Sequence, residues 1–207
     1  MNYTKSLVGA VAALAATACM FGQTVDTTSA GLLGKRYASA GLVAADFRDS
    51  PIDTGIGAQL GVNLPVAANL DVAFSYEYVH IDDSLVDANG NALGATARYH
   101  TLWSGVKPFA DATLGYTWLD ADNWISGFEY DEFFWDLGVG VEIPVANATA
   151  IIGRVGYSEL FDNDFDGSWN FTVGASHWFS PRLAGTIQVT FEEDDVVTYG
   201  IGVGYKF

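Results

Sequence analysis

This chain of 207 residues is poor in cysteine, in positive charge and in long apolar runs. It has 9 Lys and Arg against 25 Asp and Glu, and its formal net charge is −16. We therefore expect no nucleic-acid partner, because the phosphates would be repelled. Beyond the first two dozen residues there is no run of 18 apolar residues, so no helix of the remaining chain can span a bilayer. If the chain crosses a membrane, it does so as a closed barrel, since lipid leaves no other way to pair every backbone polar group.

The N-terminus has the features of a secretory signal peptide. A basic start is followed by an apolar stretch of Ala, Val and Leu, which ends in an A-x-A pattern at Ala18. We predict a signal peptide over residues 1–22, with cleavage between residues 18 and 23. The alternative is a lipoprotein signal with Cys19 as the lipidated residue, although Ala16 stands where such signals usually have Leu. Cleavage after Cys19, the only cysteine, would leave no thiol for a disulfide or a metal.

The last eleven residues alternate between two kinds of side chain. From Val197 to Phe207, apolar and aromatic residues occupy one parity, and Thr, Gly and Lys occupy the other. In a strand this pattern gives one wholly apolar face. A soluble antiparallel sheet with its apolar face on a core would show the same alternation. This segment alone therefore does not decide between a soluble protein and a membrane barrel.

Nine further segments are predicted as strands, most of them with the same alternation. Their bounds are 35–47, 55–64, 70–80, 95–107, 111–118, 133–143, 151–158, 169–176 and 183–191. An even number of strands is typical of single-chain bacterial barrels. We predict an all-β fold over residues 35–207: one closed, antiparallel, up-and-down transmembrane barrel of ten strands, with eight as the alternative.

The connections between these segments alternate in length and charge. Short turns recur after Gly61, Gly105, Gly140 and Gly174, each with a proline where a strand must stop. The other connections are longer and acidic: Arg48–Asp53, Ile81–Leu93, Asp120–Asp131, Glu159–Gly167 and Glu192–Val196. Short periplasmic turns and longer extracellular loops are typical of transmembrane barrels.

Aromatic residues cluster at the predicted ends of the strands, as two interfacial girdles require. Near the loops lie Tyr78, Trp118, Trp135, Tyr157, Trp169, Phe191 and Tyr199; near the turns lie Trp103, Phe179, Tyr205 and Phe207.

The C-terminal strand, with Tyr205 and a terminal Phe207, resembles the assembly signal of outer-membrane β-barrel proteins. Together with the signal peptide and the strand pattern, it makes the chain similar to the small barrels of the OmpA-transmembrane-domain, OmpX and Opa type. The resemblance implies an integral protein of the bacterial outer membrane, inserted by the barrel assembly machinery with periplasmic chaperones. It also implies contact with lipid and lipopolysaccharide, and a periplasmic segment over residues 23–34. We expect a monomer.

Charged residues at inward positions form a candidate lumen cluster. Its members are Glu77, Arg98, His100, Asp136 and Arg154. Unpaired charges would be costly in a narrow lumen, so we expect Glu77 and Asp136 to neutralise the two arginines. The interior is then either a plug of ion pairs or a narrow pore for small solutes or ions, because ten strands lie just above the size that side chains fill completely. The corresponding roles are a structural or surface-interaction protein and a diffusion pore.

One acidic loop matches the beginning of a calcium-binding loop. Asp162, Asp164 and Asp166 precede Gly167 at the D-x-D-x-D-G spacing. The twelfth position would be Val173, which offers no oxygen, and an ordinary acidic loop is the alternative. We expect no cofactor other than this possible Ca²⁺.

An enzymatic role has one candidate constellation. His80 lies beside Asp82 and Asp83, and ten-stranded surface proteases, the omptins, use such residue types at the extracellular rim. No second acidic pair opposite is identifiable, so we expect a protein that is not an enzyme.

Overall fold

The computed structural model describes residues 30–48, 54–82, 86–123, 128–161, 167–193 and 196–207, which form one closed antiparallel barrel. The ten strands are β1 (Tyr37–Phe47), β2 (Thr54–Ala67), β3 (Leu70–Asp82), β4 (Val86–His100), β5 (Lys107–Asn123), β6 (Phe128–Ala146), β7 (Thr149–Leu160), β8 (Ser168–Trp178), β9 (Leu183–Glu192) and β10 (Val196–Lys206). Each strand pairs with its sequence neighbours, and β1 closes the barrel against β10. The predicted ten-stranded up-and-down barrel is confirmed, and the eight-stranded alternative is wrong. In the described ranges, no helix has the length and apolar content needed to cross a membrane.

The seam between the first and last strands is paired along its whole length. The register runs from Tyr37 opposite Lys206 to Phe47 opposite Val196, without interruption. Neither strand therefore has an edge exposed for pairing with another chain.

The outer face of the barrel is apolar and the inner face carries the buried charges. Leu42, Leu114 and Val139 point outward and are 62%, 63% and 62% exposed, whereas the inward-facing Asp111 and Arg154 are 6% and 3% exposed. A belt of exposed apolar side chains around the whole sheet is stable only against lipid. The predicted outward parity of β2 to β10 is confirmed.

An aromatic girdle surrounds the barrel where the apolar belt ends. Tyr116 contacts Phe133 and Trp118, with ring centroids 4.9 and 5.9 Å apart, and Tyr157 contacts Trp135 and Trp169 at 5.7 and 5.3 Å. At the opposite rim, Trp103, Phe179, Tyr205 and Phe207 are at least half exposed. These positions agree with the two predicted girdles.

The structure corrects the bounds of the fourth strand and of two loops. The fourth strand was predicted over 95–107 but spans Val86–His100, and Trp103 lies in the following turn, bridged to Val106. Ser104 and Gly105 both have positive φ, 49° and 85°, as a tight two-residue turn requires. Much of the predicted loops Ile81–Leu93 and Asp120–Asp131 is strand. Apolar alternation marks only the part of a strand that faces lipid, so the continuation of β3 to β6 into water had no such signal.

Candidate functional site

Arg154 is the centre of a hydrogen-bonded charge network inside the barrel. Its Nη2 and Nε donate to Asp111 Oδ1 at 2.8 and 3.1 Å, and its Nη1 donates to Asn170 Oδ1 at 2.9 Å. Nη2 also donates to Asp136, whose other oxygen accepts from Asn170 Nδ2 at 3.2 Å. Arg98 Nε and Nη2 donate to Asp111 Oδ2 at 2.9 and 2.8 Å. Asp111 thus binds two guanidinium groups, and we call Arg98, Asp111, Asp136, Arg154 and Asn170 the arginine network.

Two facing glycines make room for the Arg154 side chain. Gly138 of β6 lies directly opposite Gly156 of β7, and both face the lumen. A Cβ atom at either position would overlap the Arg154 guanidinium. The position of this cation is therefore fixed by backbone that lacks side chains as well as by its carboxylate partners.

The loop end of the lumen is filled by apolar side chains. This apolar cap consists of Val43, Ala45, Phe47, Val79, Ile81, Ala88, Ala92, Leu119, Ala121, Phe134, Leu160 and Val196. The Phe134 ring covers Gly115, the residue directly opposite in β5, and Phe134 lies two positions from Asp136 on the same face of β6. The cap is therefore continuous with the arginine network.

The turn end of the lumen is filled by residues 30–35, which precede β1. Leu32 N and Leu33 N donate to Glu142 Oε2 at 2.7 and 3.3 Å, and Gly34 N donates to Asp71 Oδ2 at 3.0 Å. Leu33 is fully buried against Phe109. We call residues 30–35 the N-terminal plug.

Further polar contacts hold the plug in the turn end. Lys35 Nζ donates to Gly31 O at 2.8 Å and lies 4.1 Å from the centroid of the Trp178 ring. Trp178 Nε1 also donates to Gly31 O, at 3.2 Å, and Lys107 Nζ lies 3.6 Å from Glu142 Oε1.

The structure confirms one predicted ion pair and replaces the other. Asp136 pairs with Arg154 as predicted. The predicted pairing of Glu77 with an arginine is wrong, because Arg98 lies directly opposite Asp111 in the register and binds it instead. Asp111 was missed as a member of the cluster although its inward parity was evident. Its importance follows from the register, which parity does not give.

The other predicted site residues lie apart from the arginine network. His100 is buried at the turn end, with Nε2 at 3.6 Å from Asp71 Oδ2. Tyr205 and Phe207 are exposed at the outer rim of the turn end, and the Tyr205 hydroxyl accepts a hydrogen bond from Arg182 Nη1 at 3.5 Å.

The protease and calcium hypotheses concern the loop end. His80 Nδ1 lies 3.2 Å from Asn89 Oδ1 and 3.8 Å from Asp87 Oδ1, on the outer face of the β3–β4 hairpin. Asp82 is exposed, and Asp83 lies outside the described residues. The predicted calcium ligands Asp162, Asp164 and Asp166 are also outside them. Within the described ranges, no group of three or more His, Cys, Asp or Glu side chains is placed to hold a metal ion.

The closed barrel, with an exposed apolar outer face and buried charges inside, defines a transmembrane β-barrel protein. Residues 11–207 match the model of the outer membrane protein beta-barrel domain, and the chain belongs to this family. In barrels of this kind, the short turns and both ends of the sheet lie on the periplasmic side, and the longer loops lie outside the cell. Comparison with curated protein sequences found no match.

Several solved outer-membrane barrels are similar to this chain. The translocator domain of the autotransporter NalP from Neisseria meningitidis is 10% identical and has a TM-score of 0.54, with 99% of this chain and 96% of that chain covered. The N-terminal barrel domain of OprF from Pseudomonas aeruginosa is 15% identical, with a TM-score of 0.44 and coverage of 84% and 98%. Ail, the attachment invasion locus protein of Yersinia pestis, is 14% identical, with a TM-score of 0.44 and the same coverage. The likeness to NalP is one of fold alone.

Because Gly138 makes room for Arg154, adding one methyl group there should destabilise the protein, whereas adding it at a glycine with free space should not. Gly138→Ala should lower the free energy of unfolding by about 1–3 kcal/mol, because the buried guanidinium has no space to move into. Gly153→Ala is the matched control on the neighbouring strand: a Cβ there meets no atom within 4 Å, and the expected change is within about 0.5 kcal/mol. Urea unfolding in lipid vesicles measures both. Equal effects of the two variants would contradict the packing of Arg154 described above.

We expect the loss of a buried carboxylate at Asp111 to cost more unfolding free energy than the loss of an exposed one. Asp111→Asn should cost about 3–5 kcal/mol of unfolding free energy, because two buried guanidinium groups lose their shared counter-charge. Asp46→Asn removes a carboxylate that is 45% exposed and 3.7 Å from Arg48, and it should cost less than about 1 kcal/mol. The same unfolding measurement compares the two variants. A loss at Asp111 no larger than at Asp46 would show that the network is not a stabilising unit.

Proposed function

We propose that this protein is a closed, non-conducting barrel of the bacterial outer membrane that presents an acidic surface outside the cell. The observation that supports the closed state is the continuous filling of the lumen. From the periplasmic end, Leu33 packs on Phe109, the Phe109 ring lies 5.1 Å from the Arg98 guanidinium, and Arg98 leads into the arginine network and the apolar cap. Water and ions would have to displace each of these layers in turn.

The surface role is supported by carboxylates on the outer face of β3 to β6, above the aromatic girdle. We call this set the acidic face; its members are Asp82, Asp87, Asp120, Glu129 and Asp131, all exposed. Asp82 lies directly opposite Asp87, and Asp120 directly opposite Glu129. Like charges in such cross-strand positions repel each other and destabilise the sheet.

On the described parts of these strands, the basic group beside the acidic face is His80, whose Nδ1 lies 3.8 Å from Asp87 Oδ1 and whose ring is charged only when protonated. The sequence has no Lys or Arg in residues 49–97 or in residues 108–153. A cationic partner would therefore remove an unfavourable interaction as well as form a favourable one. The acidic face is a surface suited to divalent cations.

The acidic face lies next to the membrane interface, which indicates the lipid head groups as the groups that a bound cation would bridge to. Asp131 accepts a hydrogen bond from the hydroxyl of Tyr116, which belongs to the girdle at the membrane interface. The carboxylates thus lie immediately above the acyl chains of the outer leaflet. We infer that Mg²⁺ or Ca²⁺ bridges the acidic face to the phosphates of lipopolysaccharide, and that the protein serves the envelope as a surface component rather than as an enzyme.

Planar-bilayer recording tests the closed state. The purified full-length protein should give no discrete conductance steps, and the apolar cap should keep Arg154→Ala silent as well. Steps in the wild-type protein whose size changes in Arg98→Ala or Arg154→Ala would overturn the proposal and favour a diffusion pore lined by the arginine network. A known porin reconstituted in parallel confirms that the bilayer reports channels.

Neutralising the acidic face tests the surface role. A variant with Asp87→Asn, Asp120→Asn and Glu129→Gln should lose the Mg²⁺-dependent part of lipopolysaccharide binding, measured by co-sedimentation of detergent-solubilised protein with and without chelator. The control is Asp46→Asn, whose carboxylate already has Arg48 beside it and should leave binding unchanged. Binding that is equal in the triple variant and the wild type, or that does not depend on Mg²⁺, would contradict the proposal.

A further inference from the structure

Three basic residues lie together on the rim of the turn end, where β1 and β9 begin and β10 ends. We call Arg36, Arg182 and Lys206 the basic rim. Lys206 N donates to Arg182 O at 2.8 Å, and Phe207 N donates to Arg36 O at 3.4 Å, so the backbones of these residues are adjacent. Arg36 and Arg182 are exposed, and Lys206 is partly exposed. Within the described ranges, none of the three side chains forms an ion pair with a carboxylate.

The Arg182 side chain lies on the lipid-facing side of the rim. Its Nη1 donates to the hydroxyl of Tyr205, an outward residue that is half exposed, at 3.5 Å. The backbone of the turn is fixed by Ser180, whose Oγ accepts a hydrogen bond from Arg182 N at 3.3 Å. Arg182, Tyr205, Lys206 and Phe207 line one recess. Two cations and two aromatic rings therefore surround this recess at the membrane interface.

A groove on the outer face of the barrel begins beside this recess and crosses β8, β9, β10 and β1. We call it the seam groove. Gly185 forms its floor, directly opposite His177 in β8 and Val203 in β10, and the Phe179 ring covers Gly185 at the turn end. Val203 is two positions from Tyr205 on the same face of β10, so the groove and the recess adjoin. Its volume of about 630 Å³ is in the range of ligand pockets.

Charge distinguishes the seam groove from a second groove of similar volume on the other side of the barrel. The second groove, of about 690 Å³, is lined by Ala95, Leu114 and Phe133 of β4 to β6, beneath the acidic face. The sequence has no Asp or Glu in residues 27–45, 167–191 or 196–207, so the seam groove lies between strands without carboxylates. An anionic head group is therefore attracted to the seam side and repelled from the other.

We propose that the basic rim and the seam groove together bind one anionic phospholipid of the inner leaflet. The phosphate lies in the recess, where the Arg182 guanidinium and the Lys206 ammonium donate to its oxygens. One acyl chain extends along the groove over Gly185, between Phe179 and Val203. The turn end faces the periplasm in the orientation typical of this family, so the ligand comes from the phospholipid leaflet and not from lipopolysaccharide. The site is separate from the acidic face and does not depend on a closed lumen.

Native mass spectrometry of the purified full chain in detergent tests the site. Phosphatidylglycerol and phosphatidylcholine with the same acyl chains are added in separate concentration series, and the lipids retained per chain are counted. The wild type should retain one phosphatidylglycerol at concentrations at which it retains no phosphatidylcholine. Arg182→Gln combined with Lys206→Gln should weaken phosphatidylglycerol binding by about 10- to 30-fold. The control is Arg48→Gln, which removes an exposed base at the loop end and should leave binding unchanged.

Two further variants test the groove apart from the charge. Ala40→Leu adds bulk to the seam groove, and Ala95→Leu adds the same side chain to the second groove; both residues are exposed on the outer face. Only Ala40→Leu should lower the retention of phosphatidylglycerol. Equal retention of the two lipids by the wild type, unchanged binding in the double variant or in Ala40→Leu, or a dimer in place of the lipid adduct would each overturn the proposal. Circular dichroism confirms that every variant has folded, and the lipid preference of the wild type is measured without any substitution.

Discussion

Lipid on the outside is the constraint on which the rest of this structure depends. Between the turn end and the apolar cap, the apolar residues of the alternation face lipid, so the inner face receives the polar residues. Charges that would be solvated in water are instead buried in the lumen and packed against one another. Arg154 shows the result, since its guanidinium binds Asp111, Asp136 and Asn170. It fits there because Gly138 and Gly156, on two neighbouring strands, have no side chain.

The interior changes in chemical character along the barrel axis. Charged contacts dominate where residues 30–35 enter and where the arginine network lies, and apolar contacts dominate at the extracellular end. This order keeps the buried ions away from the water above the membrane. It also leaves the extracellular ends of β3 to β6 free to carry carboxylates on their outer face without contact with the charges inside.

Parity could be predicted from the sequence, but register could not. Along β6, the alternation of Phe133, Trp135 and Leu137 with Phe134 and Asp136 is strong enough to fix which side chains face lipid. Parity does not tell which inward residue of one strand lies beside which residue of the next. The pairing of Arg98 with Asp111 rather than Glu77 depends on the alignment of β4 with β5, and that alignment is set by the Ser104-Gly105 turn. The apolar alternation that predicts strands also stops at the aromatic girdle, because the parts of β3 to β6 beyond the lipid do not need apolar residues at alternate positions.

The full-length seam between β1 and β10 has a consequence for how the molecule is made. The first strand finds its second partner only in β10, the last strand of the barrel, so the sheet cannot close before β10 has been made, and loss of β10 would leave two unpaired edges in the membrane. Residues 30–35 directly precede the first strand, and their contacts with Glu142 and Trp178 come from strands far along the chain. Closure of the sheet and packing of residues 30–35 in the turn end therefore both depend on strands that lie late in the sequence.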